Sequence, residues 1–173
     1  MTKRHENGFT LIELLIVVAI IAIIAAIAVP GLLRARMTGN ETSAIASLKV
    51  TTSSQVAYSS ACGNGGYAAT FVVLGTAPAG GTVGFISADL GTSATPLKSG
   101  YNFTLGPGAG NVAGPNDCNG TATISTYYAT GVPMALNTTG TRSFAVNAGN
   151  SIWQLTGGAA PTEPFGAPAT TIQ

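Results

Sequence analysis

Three patterns of apolar residues follow one another along the chain. From Leu11 to Val29 every position but Glu13 is Leu, Ile, Val or Ala. Further on, Ile45, Leu48, Thr52, Val56 and Ser59 fall at steps of three and four, a narrow and only partly apolar helical stripe. Beyond residue 100 the spacing shortens to two: Tyr101, Phe103 and Leu105 alternate, then Ile124, Thr126 and Tyr128, then Phe144 and Val146. Asn147-Ala148-Gly149-Asn150 reads as a hairpin turn leading to Ile152, Trp153 and Leu155.

The first two patterns predict one long helix from about Phe9 to Ser60, roughly 78 Å at about 1.5 Å per residue. Pro30-Gly31 withholds a backbone donor and adds freedom, so a bend or local melting is expected there. Gly39-Asn40 is a second weak point, and two separate helices remain the alternative. Between residues 61 and 99 the breakers CGNGG and PAGG leave room for short helical turns near Ala69–Leu74 and Phe85–Leu90. The third pattern predicts three to four antiparallel strands laying one face on the second half of the helix. Gly106–Asn119 reads as an exposed loop tied down by Cys118, and the stretch after Leu155 as an extended or mobile tail. The fold class is therefore α+β: a long N-terminal helix, its apolar half protruding, packed on a small antiparallel sheet.

Composition narrows the chemistry. The 173 residues allow one modest globular domain besides the helix, and only 8% of them are charged. The basic residues Lys3, Arg4, Arg34, Arg36, Lys49, Lys98 and Arg142 form no large patch, so no nucleic-acid partner is implied. His5 is the only histidine, and beyond residue 41 the acids are Asp89, Asp117 and Glu163 alone. No imidazole base, metal cluster or catalytic carboxylate pair can be assembled from that set, so no enzyme, cofactor or metal is expected. Cys62 and Cys118 should be bridged if the polar part lies outside the cytoplasm, which the chain-entropy model values at roughly 4 kcal/mol.

Glu13 is the anomaly. An acid near the centre of a membrane helix costs roughly 2.5 to 3.5 kcal/mol, somewhat less towards the interface, so it normally has a partner. An ordinary secretory signal with a cut after Ala26-Ile27-Ala28 has no use for it, and its apolar run is shorter than this one. A plain membrane anchor explains the length of the run but leaves Glu13 unexplained.

Gly8-Phe9-Thr10-Leu11-Ile12-Glu13 resembles the cleavage motif of type IV prepilins and type II secretion pseudopilins. The flanks agree: a short basic leader, an unbroken apolar run, and Pro30 twenty-one residues beyond Phe9. The resemblance covers roughly residues 1 to 60. It implies that a prepilin peptidase cuts between Gly8 and Phe9 and methylates the new amine of Phe9. Residues 1–8 would be the leader, 9–30 the transmembrane and filament-core helix, 31–60 its amphipathic second half, and 61–173 a β-rich head with a loop-rich tail. It also implies that Glu13 neutralises the Phe9 amine of a neighbouring copy, with Pro30 serving assembly. A charge pair about 4 Å apart at an effective dielectric near 20 is worth about 4 kcal/mol before desolvation.

The function so implied is a structural subunit of a type IV pilus-like filament. Its partners would be further copies of itself, the peptidase, an inner-membrane assembly platform, and membrane lipid before extraction. It would reside in the bacterial inner membrane as precursor, then in a cell-surface or periplasm-spanning filament. The alternatives are a secretion pseudopilin and a membrane-tethered periplasmic binding module that never polymerises. The chain lacks the acid-rich calcium loop of typical major pseudopilins and the closely C-terminal cysteine pair of many major pilins.

Overall fold

A computed structural model of the chain describes residues 9–172, so the leader, including Gly8 of the expected cut, lies outside the described residues. The long helix is there: α1 runs Leu11–Ala61, 51 residues in one span. No melting occurs at Pro30–Gly31 or at Gly39–Asn40, all of which are helical. Pro30 costs about 3 kcal/mol through one missing donor and one crowded carbonyl. Melting that turn would release further backbone groups, each costing several kcal/mol where water cannot reach it. Continuity is the cheaper outcome.

By its internal contacts the chain divides into two units, Met1–Arg36 and Met37–Gln173. In the first, every described residue is exposed, Leu11 by 80% and Ile27 by 77%. The mean hydropathy of its most apolar window is 3.2, and the helix is long enough to cross a membrane. So much unpartnered apolar surface is far beyond what a monomer leaves in water.

In the second unit the rest of α1 packs on a head through a seam at steps of three and four. The seam comprises Glu41, Ala44, Leu48, Thr51, Gln55 and Tyr58, continued by Cys62 just past the helix end, all buried. It departs from the expected stripe: Leu48 and Thr52 are buried, but Val56 is 51% exposed. The seam is polar, and its polar members have partners. Thr51 Oγ1 donates to the Ser47 carbonyl at 2.9 Å. The Gln55 amide donates to the Ala68 carbonyl at 2.8 Å and accepts from its N–H at 2.9 Å. A buried amide satisfied at both ends avoids the desolvation penalty of an unpaired polar group.

Two short helices, α2 (Phe71–Gly75) and α3 (Ala88–Gly91), occupy the loop-rich stretch, close to the expected turns. Eight strands follow: β1 (Leu97–Lys98), β2 (Tyr101–Pro107), β3 (Ala113–Asn116), β4 (Ala122–Ile124), β5 (Tyr127–Pro133), β6 (Arg142–Asn147), β7 (Trp153–Thr156) and β8 (Thr170–Thr171). Six of them form one antiparallel sheet in the order β1-β2-β5-β6-β7-β8, and β3-β4 form a small ribbon. The alternation in β2 holds: Tyr101, Phe103 and Leu105 are buried, while Asn102 and Thr104 are exposed. Phe103 lies opposite Gly131, where an added Cβ would come within 3.0 Å of its ring. With Tyr58, Tyr127, Phe144 and Val146, these aromatic and apolar side chains form the core.

Three expectations need correction. The run Ile124, Thr126, Tyr128 is not one strand, because Ile124 ends β4 and Tyr127 begins β5. Gly106–Asn119 is not loop alone, since it carries β3. The stretch after Leu155 is not loose. Ser143 Oγ donates to the Gly157 carbonyl at 2.7 Å, and the Tyr128 hydroxyl donates to the Pro161 carbonyl. Phe165 stacks on Trp153 with centroids 5.3 Å apart, and Thr170–Thr171 pair with β7. Glu163 accepts from the Ala109 N–H and from Asn147 Nδ2, each at 2.6 Å. Consecutive residues Ser143 to Val146 are buried, so β6 is covered on both faces.

Candidate functional site

Construction of the N-terminal site begins at Thr10. Leu11 is the first helical residue, so Thr10 stands at the cap, where backbone N–H groups lack helical acceptors. Thr10 Oγ1 accepts from the Glu13 N–H at 3.3 Å, while the Thr10 N–H donates to Glu13 Oε2 at 2.9 Å. The Thr10 hydroxyl donates to the same carboxylate oxygen at 2.7 Å. This is a reciprocal capping box of the pattern Thr-x-x-Glu. A carboxylate there also meets the positive end of the helix dipole.

The arrangement gives Glu13 a role inside its own chain that the sequence reading missed. The signal was present, since Ser/Thr-x-x-Asp/Glu before an apolar run marks a helix start. The family resemblance accounts for the acid by intersubunit pairing alone. The box holds the carboxylate in one orientation four residues beyond Phe9, whose side chain is 89% exposed. Of the other expected residues, Pro30 sits inside α1, and Cys62 and Cys118 form a disulfide with Cα atoms 4.8 Å apart.

A second polar cluster, not foreseen from the sequence, fastens α1 to the head. Glu41 is 5% exposed. Its Oε1 accepts from the Thr141 N–H and hydroxyl, both at 2.8 Å. Its Oε2 accepts from both Arg142 Nε at 2.9 Å and Nη2 at 2.6 Å, two charge-assisted bonds on one oxygen. Arg142 also donates to Gln154 on β7 at 2.6 Å. Burial alone would raise the Glu41 carboxyl pKa, but the Thr141 and Arg142 bonds outweigh it and hold it below the ordinary carboxylate value. Asp117 behaves likewise: burial opposes ionisation, and donation from Tyr58 and from backbone N–H groups prevails.

A depressed folded-state pKa gives stability that is present above the unfolded value and lost as pH falls through the folded one. The head should therefore weaken under acid. Glu41→Gln should cost about 2 kcal/mol by the usual worth of hydrogen bonds to a charged group. It should also shrink the acid-side loss, leaving the part due to Asp117. Urea unfolding of both proteins at several pH values checks this; parallel pH curves would contradict it.

Comparison with known proteins places the N-terminal geometry. Residues 3–29 match a family model described as the prokaryotic N-terminal methylation motif. Over 39 residues the chain is 62% identical to the type IV wide pilus major component PilA4 of Thermus thermophilus, a match covering 22% of this chain and 30% of that protein. The match thus spans less than a third of that relative's length. No solved structure matches. The chain is type IV pilin-like in its N-terminal segment, and its long helix with an antiparallel sheet is a pilin-like α+β architecture.

Proposed function

We propose that the chain is the structural subunit of a type IV pilus-like filament. It is made as an inner-membrane precursor and cut between Gly8 and Phe9 by a prepilin peptidase, which methylates Phe9. An assembly platform then draws it into a polymer of identical copies. The observation that carries this reading is the wholly exposed apolar surface of residues 11–33 behind the Thr10–Glu13 cap. Lipid covers that surface in the precursor, and the same surface of other copies covers it in the filament. The relative's description as a pilus component supports a pilus over a secretion pseudopilin.

Electrostatics fit a polymer. Losing residues 1–8 removes Lys3, Arg4 and Glu6, leaving five basic and five acidic side chains, so stacked copies accumulate no net side-chain charge. The processing step is tested by Gly8→Glu. The variant should accumulate uncut in the inner membrane, visible as a slower band on gels, with no surface filaments. Normal maturation of that variant would refute the assigned cut.

A further inference from the structure

We infer that Arg34 and Arg36 seat on the phosphates of the outer-leaflet lipid headgroups and fix the depth at which the precursor helix stops. The inference rests on the membrane reading proposed above. α1 is helical through Pro30 and Gly31, so the rise from one end of the apolar segment to the other is that of an unbroken helix. Leu14 to Leu33 are twenty uncharged residues, about 30 Å long, against a hydrocarbon core of about 30 Å. The segment is bracketed by Glu13 on one side and Arg34 on the other.

The placement of the two arginines around the helix selects the partner. Successive helical residues turn by about 100°, so Arg34 and Arg36 point about 200° apart at nearly one level. Both are exposed. A protein docked against one side of the helix would meet one of them; a headgroup layer encircles the helix and meets both. A second copy beside this one in register sets arginine against arginine, because Glu13 is the only acid among described residues 9–36. Guanidinium matches phosphate with paired hydrogen bonds, and its long stem can lie along the acyl boundary while the head reaches the interface. Arg142 is bonded to Glu41 within the head and serves as the internal control.

The test is carbon–phosphorus dipolar dephasing by solid-state NMR. The full chain carries Arg4→Lys and guanidino-carbon-labelled arginine, and sits in phosphatidylglycerol–phosphatidylcholine vesicles. Its labelled arginines are then Arg34, Arg36 and Arg142. Two of the three signals should dephase against lipid phosphorus. In the additional Arg34→Lys/Arg36→Lys variant, the remaining Arg142 signal should not. Absence of dephasing at Arg34 and Arg36, with residues 11–33 protected from protease, would overturn the inference while leaving the membrane reading intact. Cleavage of residues 11–33 by added protease would overturn the membrane reading and this inference with it. Equal dephasing by inorganic phosphate in phosphorus-free detergent would assign the contact to a free ion and also overturn it.

Discussion

Cells making only the Glu13→Val subunit should show few or no surface filaments by electron microscopy, with precursor levels and cleavage near normal. The substitution removes an acid from an apolar segment, so insertion is not harmed by added polarity. It breaks the Thr10–Glu13 box, a loss of about 1 kcal/mol at the helix start. In the polymer it also leaves the Phe9 amine of a neighbour without its counter-charge, on the order of 3 to 5 kcal/mol for a broken buried pair. The second loss recurs at every junction, so it dominates.

Glu13→Gln separates the two roles. Glutamine serves at that position of a capping box almost as well as glutamate. It cannot neutralise an amine. Filaments should therefore fail with Gln as with Val, and recover in part when wild type is co-expressed, because a variant subunit still offers its amine to a wild-type Glu13. Filaments restored by Gln but not by Val would make the cap the essential role. Wild-type yield from both variants would favour a tethered module that never polymerises.

Removing the Cys62–Cys118 bridge should lower the stability of the head by about 4 kcal/mol, from the loop-closure entropy returned to the unfolded chain. The bridge closes a sequence separation of 56 residues, from the end of α1 to just past β3. Two bonds reinforce it: the Cys118 N–H donates to the Cys62 carbonyl at 2.8 Å, and the Tyr58 hydroxyl donates to Asp117 at 2.7 Å. These are local to the bridge and should persist in Cys62→Ser/Cys118→Ser, so the double variant should fold, with an earlier urea midpoint. A loss below about 1 kcal/mol would show that Tyr58–Asp117 and the surrounding packing already close the loop. Peptide mapping without reductant should recover the two cysteines as one cross-linked pair.

How much was legible follows the physics of each signal. The long helix was, because an unbroken apolar run followed by steps of three and four admits few other readings. So was β2, where Tyr101, Phe103 and Leu105 bury one face in the core that residues of α1 share. The seam of α1 was not: Glu41, Thr51 and Gln55 are buried for their hydrogen bonds, and hydropathy assigns such residues to water. Two-residue strands such as β1 and β8 are too short to show alternation. The tail looked loose by composition, yet a single acid, Glu163, ties it to the β2–β3 loop through Ala109 and to the end of β6 through Asn147. At the N-terminus the Thr10–Glu13 box was written in plain spacing.

The central claim is that the apolar helix is kept and becomes the start of a polymerised subunit. Mass spectrometry of the N-terminal peptide from filaments sheared off cells tests it most directly. The account predicts a peptide beginning at N-methylated Phe9 and containing Thr10, Leu11, Ile12 and Glu13. A mature chain beginning at Val29, released without its apolar helix, would contradict it.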